Sequence, residues 1–170
     1  MALDYGKIAL AEWGSISERR INQLTLGKRG LPPFLAKKPG VESGIMILQY
    51  SAASLVSRNK QRTVPSSTDS IDSSAGQEDH VSMGANAATD SIDILDRVWT
   101  ILSMEWIAAI RSIEMSERNG PEAISDLIHS YRDIYPSSQG DNVLAEEIQV
   151  AEKFLRDIII EDKPFLKFKK

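Results

Sequence analysis

The sequence contains no cysteine among its 170 residues. Disulfide scaffolds, thiolate metal sites and cysteine nucleophiles are therefore excluded, because each of them needs a cysteine sulfur. No apolar run approaches the roughly 20 residues that a membrane-spanning helix requires. The N-terminal residues include Asp4 and lack a basic start before an apolar stretch, so no signal peptide is predicted. These absences predict a cytoplasmic protein with no membrane partner.

Histidine is also scarce, with only His80 and His129 in the whole chain. No His-Glu-x-x-His pattern occurs, and on a helix the consecutive residues Glu78, Asp79 and His80 would point about 100° apart, too far to converge on one ion. The glycine motifs of phosphate-binding loops and the Gly-x-Ser-x-Gly nucleophile elbow are missing too. The sequence therefore predicts no metal site and no nucleophilic serine.

The net charge of −4 hides two segments of opposite sign. Residues 19–62 contain nine Lys or Arg and one acid, Glu42, whereas residues 69–96 contain seven Asp or Glu and no Lys or Arg. A basic face could bind nucleic acid, or the two segments could pair with each other, within the chain or across an oligomer. Because the basic segment lacks interleaved aromatic residues and any nucleic-acid motif, we expect the pairing and no nucleic-acid partner.

Apolar residues recur every three or four positions along most of the chain, which predicts an all-α fold. The predicted helices cover residues 1–25, 44–61, 78–115, 121–134 and 143–160. A Gly- and Pro-rich loop at 26–41 and a Ser-rich loop at 63–77 separate the first three. A loop as long as 63–77, about fifteen residues, is uncommon inside a compact domain and is usually functional or disordered. The basic tail after residue 160 is expected to be loose.

Three features of these helices predict how they pack. Gly14 inside the first helix indicates close approach by another element, and Ser43 is a candidate cap for the second. Residues 44–61 begin apolar on nearly every face, which predicts a buried helix. The third helix, about 35 residues and on the order of 50 Å long, exceeds the diameter of a domain this size. We therefore expect a long-helix bundle that is oligomeric or completed by a missing portion of chain.

The segment "GQEDH" at residues 76–80 stands where the third helix is predicted to begin. Glu78 and Asp79 in a first helical turn would oppose the positive end of the helix dipole, for roughly 0.3–1 kcal/mol each. This capping interpretation needs no function. Composition alone favours it over a ligand site.

Four longer stretches carry a resemblance. They occur in order and read "GSISERRINQL", "GLPPFL", "SGIMILQYSAASLVSRNK" and "SSTDSIDSSAGQEDHVSMGANAA". Together they resemble the C-terminal part of the histidine and aromatic amino-acid ammonia-lyase family, strongly over residues 1–113 and more loosely beyond. "QEDHVSM" is more similar to histidine ammonia-lyases than to the plant phenylalanine enzymes, and tyrosine ammonia-lyases and aminomutases remain alternatives.

The resemblance implies a fold, a cofactor and a site. Family members are helical tetramers that eliminate ammonia from an amino acid with a methylidene-imidazolone electrophile, which forms from an internal Ala-Ser-Gly triplet. Met46 matches a residue that contacts the substrate side chain, and Glu78 matches the acid beside a histidine substrate's imidazole. Gln77 is expected to line the same pocket. The resemblance thus assigns Glu78 as catalytic, and Met46 and Gln77 as substrate-binding residues.

The departures from the family set the limits of this hypothesis. The chain has no Ala-Ser-Gly triplet, so the electrophile is expected from a missing N-terminal portion or partner subunit, and the isolated chain is expected to be inactive. Glu42, Ile45 and Arg58 also differ from the usual family residues. The expected organisation is a lyase-like core at 1–115, with an active-site loop at 63–77, and peripheral helices at 116–170. A non-catalytic, lyase-derived helical assembly protein is the alternative from another class.

Overall fold

The computed structural model describes residues 1–116, 121–138 and 140–160, the side chains of residues 159 and 160 excepted. These residues form five α-helices and no β-strand, which confirms the predicted all-α class. The helices are α1 (Ala2–Thr25), α2 (Met46–Gln61), α3 (Gly84–Met115), α4 (Glu122–Ile134) and α5 (Leu144–Ile160). None of the helices in these ranges is long and apolar enough to cross a membrane. The predicted loose tail, and the Asn-Gly pair at 119–120, lie outside the described residues.

The centre of the fold is α3, which packs against α1, α2 and α5. Its 32 residues span about 48 Å. Large aliphatic side chains recur along its length and are almost completely removed from solvent; the buried aliphatic residues are Ile94, Val98, Ile101, Ile107 and Ile110. This helix therefore supplies the core around which the other elements are arranged.

The contact between α1 and α3 depends on Gly14, as its position inside a helix predicted. A Cβ atom at this position would lie 3.3 Å from Cδ1 of Ile101 and 3.4 Å from Cγ2 of Val98. These distances are at or just below ordinary carbon–carbon contact, so a Cβ atom would already crowd Ile101 and Val98 and a larger side chain would not fit without displacing them. The missing side chain thus sets how closely α1 approaches α3.

The connection between α1 and α2 folds back under the helices, burying Leu35 and Ile45. Its return depends on Gly44, whose φ of +55° lies in the left-handed region. A Cβ atom there would lie only 2.3 Å from the carbonyl oxygen of Phe34, an impossible contact. That carbonyl instead accepts a hydrogen bond of 2.8 Å from the Ile45 amide, which fixes the entry into α2.

Two predictions for α2 are wrong. Ser43 does not cap it: the helix begins at Met46 without a side-chain cap, and the Asp141 carboxylate accepts the Ser43 and Gly44 amides at 2.9 Å each. The helix is also not buried on every side, because Ile47 is 55% exposed. The opposite face of α2 packs against α1 and α3.

The two C-terminal helices join the same hydrophobic core as α1, α2 and α3. Trp106, Tyr131 and Phe154 form an aromatic cluster with ring centroids 5.3–5.9 Å apart. Beside it, the buried Glu147 carboxylate pairs with Arg111 at 2.7 Å and with Arg132 at 3.5 Å. Aromatic and ionic contacts thus hold α4 and α5 against the second half of α3.

Candidate active site

The segment between α2 and α3 carries two of the three residues assigned from the resemblance, Gln77 and Glu78. Ser73 and Glu78 exchange both of their backbone hydrogen bonds: the Ser73 amide donates to the Glu78 carbonyl at 2.8 Å, and the Glu78 amide donates back at 3.2 Å. The pair closes a short loop, residues 73–78, here called the site turn. Both Gln77 and Glu78 belong to it, and both are exposed.

The site turn is built from consecutive residues with left-handed backbone. Ser74 and Ala75 each have φ of 55°, and Gly76 has φ of 83°. This conformation is free for glycine but costs on the order of 1 kcal/mol for each residue with a Cβ atom. Strained backbone of this kind persists only where surrounding contacts determine it, and it concentrates at ligand-binding sites.

The same geometry overturns the capping interpretation. The helix that was predicted to begin at Glu78 begins at Gly84, and no acidic residue lies in its first turn. The left-handed run reverses the chain before Glu78, and the Val81 amide then donates to the Ile71 carbonyl at 3.3 Å instead of entering a helix. Glu78 and Asp79 therefore do not stabilise the dipole of α3.

The side chain of Glu78 is exposed and makes one hydrogen bond, accepted at Oε2 from the Ser74 hydroxyl at 3.3 Å. A carboxylate has about four acceptor positions, so most of its capacity is open. The exposed Gln77 amide beside it adds two donors and one acceptor oxygen. The turn can therefore bind an imidazole N–H or an ammonium group by charge-assisted hydrogen bonds.

The third assigned residue, Met46, lies on a different element. It is the first residue of α2, is half-buried, and its amide donates to the Ser43 carbonyl at 3.2 Å. A thioether side chain adapts its shape to an apolar ligand, which suits a residue that lines a pocket. The substrate-binding role of Met46 stays a prediction.

Two residues near the start of α1 were missed by the sequence reasoning. The Asp4 carboxylate accepts the amides of Ser66 and Ser67 at 2.9 and 3.1 Å, and the Lys7 ammonium donates to the Val64 carbonyl at 2.9 Å. The start of the loop is thereby attached to α1. The sequence contained a weak signal for this attachment. Asp4 and Lys7 are three residues apart and so lie on one face of α1, and the buried residues that follow on that face include Ala11, Gly14 and Ser17.

The cleft that the loop forms with α3 does not include the residues assigned from the resemblance. An open cleft of about 490 Å³ lies between the start of the loop and the start of α3, and Met46, Gln77 and Glu78 do not line it. Within the described ranges, no cluster of three or more His, Asp or Glu side chains is placed to hold a metal ion. At the turn, the Glu78 carboxylate can accept hydrogen bonds or a proton, and the Gln77 amide can donate and accept hydrogen bonds.

Comparison with known proteins relates the chain to one enzyme family. A family model described as aromatic amino acid lyase matches residues 1–133. The histidine ammonia-lyase of Geobacillus thermodenitrificans is 45% identical over 168 residues, which is 96% of this chain and 33% of that protein.

Solved structures show the same relationship. Histidine ammonia-lyase from Trypanosoma cruzi matches with a TM-score of 0.90 at 38% identity, over 96% of this chain and 33% of that one. Tyrosine aminomutase from Streptomyces globisporus matches with a TM-score of 0.83 at 34% identity, over 95% and 33% of the two chains. The chain thus spans about a third of the length of the relatives that it matches.

Proposed function

Because the chain belongs to the aromatic amino acid lyase family, we propose that it supplies the C-terminal third of a histidine ammonia-lyase. The complete assembly would convert L-histidine to trans-urocanate and ammonia. The observation that carries this proposal is the Glu78 carboxylate, which a strained turn presents beside Gln77 with most of its acceptor positions open.

In this proposal Glu78 acts on the imidazole of the substrate. Imidazole changes its charge near neutral pH, and a carboxylate hydrogen-bonded to one ring nitrogen selects the tautomer and can accept that proton. Gln77 would orient the same ring or the α-amino group through its amide. Met46 would contact the substrate side chain from α2.

The electrophile would come from outside this chain. Bound in the assembly, a methylidene-imidazolone would withdraw electrons from the substrate and so ease the breaking of its carbon–nitrogen bond. No Ala-Ser-Gly triplet that could form it is present here. The hydrogen-bonding groups of Glu78 and Gln77 suit an imidazole or an ammonium group of the substrate. They are not the residue types from which the prosthetic group forms.

The partner in the proposal is the N-terminal lyase portion, on the same or on another polypeptide, within a tetramer-like oligomer in the cytoplasm. Two observations support a larger assembly. The relatives are about three times as long as the chain. Large apolar side chains are also exposed on α1 and α2, among them Trp13 and Ile47.

The test combines this chain with an N-terminal lyase portion that carries the Ala-Ser-Gly triplet, and follows urocanate formation from histidine. The Glu78→Gln variant should lower kcat/KM by about a hundredfold, the scale of a positioned acid or base. Asp79→Asn is the matched control, because it removes the neighbouring exposed carboxylate. Equal losses in both variants would contradict the role of Glu78.

Other products would select the alternatives. Turnover of tyrosine or phenylalanine but not of histidine would favour an aromatic lyase, and a β-amino acid product would favour an aminomutase. A stable complex without turnover of any of these amino acids would favour a non-catalytic assembly protein. The chain alone is expected to be inactive in all of these assays.

A further inference from the structure

The ammonium group of Lys7 is completely buried, although its residue lies near the start of a helix. Nζ is 2.9 Å from Asp4 Oδ1, 2.9 Å from the Val64 carbonyl and 3.3 Å from the Ser66 hydroxyl. An ammonium group has three donors, so all three are used. A buried charge of this kind is retained only when it is paired and hydrogen-bonded, which makes the geometry specific.

The Asp4 carboxylate completes the attachment of the loop. It accepts the amides of Ser66 and Ser67 and the Ser67 hydroxyl. The hydrogen bond from that hydroxyl, followed by the bond from Lys7, holds the pKa of Asp4 well below its ordinary value. Asp4 is therefore charged at neutral pH, and it holds the backbone at residues 66 and 67.

The cluster also reaches α3 and the end of α2. Asp90 Oδ2 is 3.6 Å from the Lys7 ammonium, and Asp90 Oδ1 accepts a hydrogen bond of 2.8 Å from Arg62. Arg62 follows the last residue of α2. Four charged groups from three helix regions thus meet where the loop begins, here called the loop anchor: Asp4, Lys7, Arg62 and Asp90.

The second half of the loop depends on this anchor. Beyond residue 69, its described hydrogen bonds stay within the segment between α2 and α3: Ser70 to the Val81 carbonyl, Val81 to Ile71, and the Ser73–Glu78 pair. The site turn is exposed and strained and has no described hydrogen bond to α1 or α2. Its position is therefore inherited from the anchored base of the loop and from the start of α3.

We propose that Lys7 is a positioning residue for the site turn: its buried ammonium fixes residues 64–66 and thereby sets where Gln77 and Glu78 stand. The inference rests on the proposed function for its catalytic consequence. It assigns a role to a residue of α1 that is remote in sequence from the turn.

The test separates positioning from plain stabilisation with three variants. Lys7→Met removes the charge, and the double variant Asp4→Asn/Lys7→Met removes both members of the pair, so that Asp4 keeps no uncompensated charge. Glu147→Gln disturbs a comparable buried ion pair at the other end of α3. All are assayed in the assembly with the N-terminal lyase portion, well below their melting temperatures.

Hydrogen exchange at the Ser73 and Glu78 amides should accelerate roughly tenfold or more in both Lys7 variants and stay unchanged in Glu147→Gln. In both Lys7 variants, kcat/KM for histidine should fall by about tenfold to a hundredfold, the effect of a displaced catalytic group. The double variant should regain stability relative to Lys7→Met without regaining kcat/KM.

Unchanged exchange at Ser73 and Glu78 in the Lys7 variants would overturn the proposal. A double variant that recovers kcat/KM together with its stability would also overturn it. If Lys7→Met does not fold, Ser67→Ala, which removes one hydrogen bond to Asp4, gives the milder test with the same exchange readout. If the parent assembly does not turn over histidine, the proposed function fails, and the exchange measurement still decides whether Lys7 positions the turn.

Discussion

The two faces of α1 have the reverse of the usual polarity. A helix on the surface of a globular domain buries apolar side chains and exposes polar ones, whereas α1 buries polar groups and exposes large apolar side chains. The buried face is mostly polar or small, with Asp4, Lys7 and Gly14, and Ile21 is its one large aliphatic residue. The other face exposes Trp13, at 52%, and Ile16, at 46%. A surface helix normally buries its apolar stripe. The difference supports the proposal that a larger assembly covers the outer face of α1.

Different interactions stabilise the contacts of the two faces. The inner face depends on shape and on hydrogen-bonded charge, which tolerate little change. The outer face is a broad apolar surface whose stabilisation is proportional to the area buried by a partner. Substitutions should therefore divide by face: inner ones alter the stability of this chain, and outer ones alter its association.

The largest effect on stability is expected from Gly14→Leu on the inner face. The new side chain would meet Ile101 and Val98 and separate α1 from α3, which should lower the free energy of unfolding by about 3 kcal/mol. Chemical denaturation measures the change. Gly6→Ala is the control, because no neighbouring atom lies within 4 Å of a Cβ there, and it should stabilise by up to roughly 1 kcal/mol. Equal destabilisation by both would break the distinction between packed and open positions.

A smaller, pH-dependent effect is expected from Asp4. Because the pKa of its carboxyl group is lower in the folded chain than its unfolded value of about 3.9, ionised Asp4 stabilises the fold above that value. The contribution is lost as the pH falls through about 4 toward the lower folded pKa. Unfolding curves of the parent and of Asp4→Asn should therefore differ at pH 7 and converge in acid. A difference that stays constant between pH 7 and pH 3 would contradict the assignment.

The smallest effect on stability is expected from Trp13→Glu on the outer face. The free energy of unfolding should change by no more than about 0.5 kcal/mol, the usual range for exposed positions. Association should change instead: sedimentation should show the parent chain as an oligomer or aggregate, and the variant as a smaller species. Glu12→Gln is the control, because it changes a neighbouring exposed residue without placing a new negative charge on the apolar face. If the parent chain sediments as a monomer, the outer face of α1 does not mediate association of this chain, and the prediction is wrong.

The helices were predictable from the sequence because their signals are local. The bounds of α1, α2, α4 and α5 follow from apolar periodicity and from Gly and Pro breaks, and each lies within two residues of its prediction. The start of α3 was six residues in error. A left-handed Ser74 and Ala75 have no sequence signal, since both residue types commonly adopt helical backbone.

The site was predictable only in part, and for a related reason. The resemblance assigned Gln77 and Glu78 to the substrate site, which stays a prediction, and the structure adds that both residues follow a run of left-handed backbone at Ser74, Ala75 and Gly76. The loop anchor was not predicted, because Lys7 and Val64 are 57 residues apart and meet only after α1 packs. The opposed charges of the 19–62 and 69–96 segments did indicate pairing, and the Arg62–Asp90 ion pair at 2.8 Å is one case of it.

The sequence alone determined the helical class, the bounds of α1, α2, α4 and α5 and the family, because these depend on periodicity and on ordered motifs that need no partner. The tertiary structure decided which face of each helix is buried, where α3 begins and what holds the loop. Those outcomes depend on contacts between distant residues. For example, Lys7 is buried and Trp13 is exposed. Only the packing of α1 against the other elements decides which of these two side chains is removed from solvent.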